Sequence, residues 1–94
     1  MKVNPRYDVA YNNRGLAYRG KGEIDRAIAD FGQAVTVNPG NDAAYSNRGL
    51  AYRSKGEIDR AIKDFEAAIK INPKEFGNFY NRGNALAEKK DYDG

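Results

Sequence analysis

Cysteine and histidine are both missing from this chain. Their absence removes disulfides, thiolate nucleophiles, the usual zinc ligands and the commonest general base in one step. Long apolar runs are missing too: no stretch approaches the roughly 18 residues a membrane-spanning helix needs, and the start Met1-Lys2-Val3-Asn4-Pro5 has no apolar segment of the leader type. The chain therefore reads as soluble and unprocessed, with the cytoplasm as its default location and no membrane among its partners. Nor is charge of one sign concentrated anywhere. The net charge of +3 divides into +2 for residues 1–7, 0 for 8–41, +1 for 42–75 and 0 for 76–94. No basic domain face exists of the kind that attracts nucleic acid, so nucleic acid is not expected as a partner.

Enzymatic readings fail on what is absent as well. No nucleophile stands beside a plausible base, and no glycine-rich loop could cradle a phosphate. The carboxylates of Glu23-x-Asp25 and Glu57-x-Asp59 are more simply first-turn charges that complement helix dipoles. No catalytic, cofactor-binding or metal-binding residue is assigned, and no cofactor is expected.

What the chain does contain is repetition. Tyr11-Asn12-Asn13-Arg14-Gly15-Leu16-Ala17-Tyr18-Arg19 returns as Tyr45-Ser46-Asn47-Arg48-Gly49-Leu50-Ala51-Tyr52-Arg53 and begins again at Phe79-Tyr80-Asn81-Arg82-Gly83, an offset of 34 residues each time. The same offset separates Pro5, Pro39 and Pro73, and residues 8–41 and 42–75 share 23 identities over 34 aligned positions. The period covers the whole chain, which makes stacked repeats the organising principle.

Each period reads as two helices. From Val9 to about Lys21, with Asp8 as the expected N-cap, Tyr11, Gly15 and Tyr18 fall on one helical face. Gly22 is the candidate left-handed residue that closes this first, or A, helix. Ile24, Ala27, Ile28, Phe31, Ala34 and Val35 then recur at three- and four-residue steps, which predicts a second, or B, helix from about Glu23 to Val37, stopped by Asn38-Pro39. The next period predicts helices from about Ala43 to Lys55 and Glu57 to Ile71, with Gly56 at the turn. A last A helix is expected from about Phe76 to Lys90, followed by Asp91-Tyr92-Asp93-Gly94 in place of a turn into another B helix.

With an aromatic at Tyr11, Tyr45 and Phe79, a small residue at Gly15, Gly49 and Gly83, Ala27 and Ala61, and Pro39 and Pro73, the chain resembles the tetratricopeptide repeat family, in the bacterial-type form with Asn-Arg-Gly in the A helix. The resemblance implies an all-α fold: an α-solenoid of antiparallel helix pairs in a right-handed superhelix, about two and a half units and five helices. Residues 1–94 then form a single domain, with 1–7 as the tail of a preceding repeat, 8–41 and 42–75 as full repeats, and 76–94 as an A helix alone. The family implies a protein-binding scaffold whose concave groove is the A-helix face.

On that face lie Asn12, Asn13, Leu16 and Arg19, then Ser46, Asn47, Leu50 and Arg53, then Tyr80, Asn81 and Asn84. Asparagine is a poor helix former that carries both donor and acceptor, so the column Asn13, Asn47 and Asn81 is costly unless it serves neighbouring helices or an extended peptide backbone. Peptide binding and plain solvated or interhelical surface both remain open on the sequence alone. Some family members clamp a chaperone's terminal carboxylate with Lys, Arg and Asn. Only Asn47 matches here, because Asn12, Leu16, Gly77 and Asn81 stand where that clamp's other charges would fall. Arg19 and Arg53 read as solvated charges near helix ends.

The recurrent tyrosines sit with the glycines and read as core, and Gly15, Gly49 and Gly83 are expected where a neighbouring helix backbone comes close. Arg14, Arg48 and Arg82, with Asp30 and Asp64, depart from the family pattern together, which suggests that each Arg pairs with an Asp of a neighbouring helix. Phe79, Leu86 and Tyr92 occupy places that face a B helix in earlier periods and have none after them. Two readings follow: a slice of a longer array, or a chain whose open ends associate into homo-oligomers through those three residues. The expected function is a scaffold for a peptide or partner protein on the A-helix face, with a self-assembling structural segment as the alternative.

Overall fold

The computed structural model describes the backbone of residues 5–93 and the side chains of residues 7–90. Five helices follow one another: α1 (Pro5–Gly20), α2 (Ile24–Val37), α3 (Asp42–Ser54), α4 (Ile58–Ile71) and α5 (Phe76–Asp93). Among the described residues there is no strand, and no helix is long and apolar enough to cross a membrane. α1 packs on α2, α2 on α3, α3 on α4 and α4 on α5, while α3 also touches α1 and α5 along one side. The result is a slab of 47 × 30 × 19 Å, with A helices on one face and B helices on the other.

The turns are built as the glycines indicate. Gly22 and Gly56 both have φ of +82°, a conformation that costs a residue without Cβ little. The left-handed step lets the amide of Glu23 donate back to the carbonyl of Tyr18, and that of Glu57 to Tyr52, each at 2.9 Å. These bonds close orphan carbonyls at the ends of α1 and α3.

Burial is divided among small clusters along the stack. Ala27 and Phe31 of α2 pack with Ala51 of α3, and Tyr18, Ile24 and Ile28 close around them. Ile58, Ala61, Ile62 and Phe65 of α4 repeat the arrangement against Ala85 of α5, with Leu50 and Tyr52. Ala34 and Val35 meet Ala44 between Tyr11 and Tyr45. The tyrosines are thus half-buried parts of the packing. Each hairpin leans on the next, as solenoid stability requires.

Gly15 and Gly49 are buried for a reason that differs from the expected approach of a neighbouring backbone. A Cβ on Gly15 would lie 2.6 Å from the Phe31 ring, and one on Gly49 would lie 2.6 Å from the Phe65 ring. The glycine is a seat for an aromatic side chain, with no room for even one methyl group. The Arg–Asp pairs are present in both hairpins. Arg14 donates through Nε and Nη2 to the two oxygens of Asp30 at 2.7 Å each, and Arg48 meets Asp64 at 2.8 Å twice. Such parallel bidentate bonds suit the planar guanidinium, and hydrogen bonding to Asp64 holds Arg48 charged above its ordinary range.

Other expectations need correction. α1 begins at Pro5 instead of Val9, because proline lacks the N–H that the first helical position leaves unused. Asp8 is consequently no N-cap. It lies inside the helix, 2% exposed, and its Oδ2 accepts from Asn41 Nδ2 at 2.6 Å and from Asn38 Nδ2 at 3.1 Å. Asn38 caps the end of α2, and Asn41 caps α3 by accepting from the Ala44 amide at 3.0 Å. Asp8 therefore ties both sides of the corner between hairpins to α1. Asp8→Ala is expected to lower stability by about 2 kcal/mol, since it removes the shared acceptor of two half-buried caps; an unchanged urea midpoint removes this role. At the other end, α5 continues to Asp93, so residues 91–93 extend the helix instead of replacing a turn.

Candidate functional site

The A-helix face forms a shallow trough centred on Leu50. One hollow of about 270 Å³ is lined by residues that include Asp42, Ser46, Asn47 and Leu50 of α3 with Asn78 and Asn81 of α5. A second, of about 360 Å³, is lined by Arg19 of α1, Leu50, Arg53 and Ser54 of α3, and Glu88 of α5. The two share Leu50, whose side chain also packs on the core cluster beneath it. The floor is therefore apolar and fixed, and the rim is polar.

Of the residues assigned to the groove, Arg19, Ser46, Asn47, Leu50, Arg53 and Asn81 line these hollows. Asn12 is half-buried beside them and accepts from Asn47 Nδ2 at 3.0 Å, so this pair answers the asparagine cost by interhelical bonding. Asn81 makes no hydrogen bond among the described residues. Asn13 and Leu16 are exposed on α1 and Tyr80 is 72% exposed on α5. These three, like half-buried Asn84, line neither hollow.

Arg53 is not a solvated charge: Nε donates to Glu88 Oε1 at 2.8 Å, and this bond holds the guanidinium charged above its usual range. Its counterpart Arg19 has no carboxylate partner among the described residues, because Ser54 stands on α3 where Glu88 stands on α5. Exposed cross-hairpin pairs flank the trough, Lys55 to Asp25 at 2.6 Å and Lys89 to Asp59 at 2.9 Å, and such pairs add little stability.

Asn78 and Glu88 escaped sequence reasoning. Asn78 is 3% exposed and lies 34 residues after the buried Ala44. The Ser46 hydroxyl donates to Asn78 Oδ1, and Asn78 Nδ2 is buried with no acceptor. A buried amide donor without a partner costs about 1–3 kcal/mol. The signal in the sequence was a polar residue at a position that elsewhere holds a core alanine.

A profile of the family described as tetratricopeptide repeat matches residues 12–76. A comparison with curated proteins finds no match. Among solved structures, the second TPR of Spaghetti (RPAP3), bound to the HSP90 peptide SRMEEVD, is similar at a TM-score of 0.90 and 23% identity, over 96% of this chain and 83% of that one. The Sgt2 TPR domain from Aspergillus fumigatus is similar at 0.85 and 30% identity, over 93% and 58%. YrrB, described as a TPR protein with an unusual peptide-binding site, is similar at 0.80 and 25% identity, over 85% and 41%.

Proposed function

Because the chain belongs to the tetratricopeptide repeat family, we infer that it is a protein-interaction module that holds an extended segment of another polypeptide in the trough between α1, α3 and α5. The observation that carries this reading is the hollow in which Asn47 of α3 and Asn81 of α5 stand beside the apolar floor of Leu50. Together they offer amide groups to a peptide backbone, whose carbonyls and N–H groups recur along an extended strand. Leu50 supplies the apolar floor.

The ligand class is narrowed by what the trough does not hold. The solved relative above binds the acidic peptide SRMEEVD. In this chain Asn12, Leu16, Gly77 and Asn81 are uncharged and Arg53 is engaged by Glu88, so of the cations lining the trough Arg19 alone has no carboxylate partner among the described residues, too few for a two-carboxylate clamp. A peptide with that ending is expected to bind no better than its C-terminally amidated form.

Asn81→Ala gives the direct test, with Asn78→Ala as its control, because the latter reproduces Ala44 of the preceding hairpin and removes a buried donor that does not reach the trough. On a peptide array, capture should weaken about tenfold with Asn81→Ala, the loss of one to two hydrogen bonds in a shielded site, and stay near that of the parent chain with Asn78→Ala, whose thermal midpoint is expected to equal or exceed the parent's. An array that captures nothing with the parent chain, or captures equally with Asn81→Ala, disposes of the reading. Leu50→Ala is a poor probe, since Leu50 also belongs to the core.

A further inference from the structure

The two hollows of the trough follow one another along α3, and in the second of them one arginine lacks the partner that its counterpart has. Between α3 and α5, Arg53 is held by Glu88. Between α1 and α3 the same repeat position carries Arg19, and the place of the acid, 34 residues before Glu88, is taken by Ser54. The Ser54 hydroxyl turns back onto its own helix and donates to the Leu50 carbonyl at 3.1 Å. Arg19 is half-buried and lines the hollow with Ser54 and Leu50, and its guanidinium has no carboxylate partner among the described residues. Two arginines face one glutamate there, which leaves one positive charge in excess. Because α1 and α3 touch each other and both pack on α2, this gap belongs to the interior of the stack.

We propose that the trough selects peptides in which an acidic side chain stands two residues from an apolar one. The apolar residue rests on Leu50, and the carboxylate lies over Ser54 and meets Arg19 as Glu88 meets Arg53. The inference rests on the peptide-binding reading of the trough and states which peptides it holds. Charge selects the acid, and a half-buried guanidinium rewards it more than a fully solvated one does.

Spacing follows from the two periodicities involved. Leu50 and Ser54 are four residues apart on α3, about 6 Å at a rise of ~1.5 Å per residue. In an extended chain, side chains two residues apart point the same way and lie about 6.6 Å from each other. A separation of one residue turns the acid away from the helix, and three turns it away and overshoots by roughly 4 Å. The subsite differs from a clamp for a chain terminus: it takes one carboxylate, from a side chain, and amidation of the peptide leaves it intact. Phe79 and Leu86, 39% and 47% exposed, line neither hollow and take no part, and the side chain of Tyr92 lies outside the described residues.

The test is an array of short acetylated and amidated peptides with an apolar residue at the centre and Glu, Gln or Lys one, two or three positions to either side. The parent chain is expected to capture Glu peptides of two-residue spacing about tenfold more strongly than their Gln forms, the size of one charge-assisted hydrogen bond. Ser54→Glu gives α3 the acid that α5 has, and should cancel this preference by occupying Arg19 from within while capture of the Gln peptides stays as in the parent. Arg19→Glu should move the preference from Glu to Lys at the same position. The inference is overturned by equal capture of Glu and Gln peptides, by a preference at other spacings only, or by a preference that survives both variants. Capture without the preference that still weakens with Asn81→Ala leaves the trough as a peptide site and removes only the acid. A chain that captures no peptide removes both.

Discussion

Arg48→Met is expected to lower the unfolding free energy by about 3 kcal/mol or more, the cost of leaving a buried carboxylate unpaired. Asp64 is 7% exposed in its side chain, and its only hydrogen bonds among the described residues are the two from Arg48. The guanidinium also lies over the rings of Tyr45 and Tyr52, at 5.6 and 5.8 Å, so the methionine keeps some packing and loses the charge. Adding Asp64→Leu should recover most of the loss, because replacing a desolvated ion pair by apolar groups of similar size is often neutral or better. Urea unfolding of the two single variants and the double gives the coupling directly. A double variant as damaged as the sum of the singles means that the residues are not partners. Arg14→Met is expected to cost less: Arg14 is 60% exposed where Arg48 is 22%, and water entering on the open flank of α1 can reach Asp30.

The second large effect sets two glycines of the same repeat position against each other. Gly49→Leu should destabilise by about 3 kcal/mol, the upper part of the range for overpacking a filled core. The first added carbon already falls 2.6 Å from the Phe65 ring, which is fully buried between α3 and α4 and has nowhere to go. Gly83→Leu should instead raise the thermal midpoint. Its surroundings are open, and replacing an interior helical glycine gains up to about 1 kcal/mol in helix propensity. Matched melts of the two variants decide the matter, and equal effects of the same sign would show that the phenylalanine seat does not govern stability here.

These predictions also mark how far the residues could be read without coordinates. The 34-residue period, the left-handed glycines and the apolar steps of the B helices all depend on contacts within one hairpin, and they located the five helices to within a few residues. The Arg–Asp pairs were legible for a related reason. Arg14 and Arg48 depart from the pattern at the same repeat position, as do Asp30 and Asp64, so repetition supplied a second observation of each partner.

The site was less legible because its parts come from different hairpins. Asp8 looked like a cap when judged by its neighbours in sequence, yet it serves Asn38 and Asn41 across the corner of the stack. Arg53 looked solvated because its counterpart Arg19 has Ser54 in place of an acid, while Glu88 reaches it from α5. Asn78 drew no attention until burial showed it in an alanine's place. In each case one repeat differs from the other, and the period that revealed the fold averages such differences away.

The sequence by itself determined the period, the helices and the partners within a hairpin, because those follow from turn chemistry and from side chains three or four residues apart. Only the tertiary structure decided which asparagines are spent on neighbouring helices, which glycines seat an aromatic ring, and which arginine of the trough is held by an acid of the next hairpin. These depend on how one hairpin is set against the next, and that setting is fixed by the packing of many side chains together and not by any single stretch of chain.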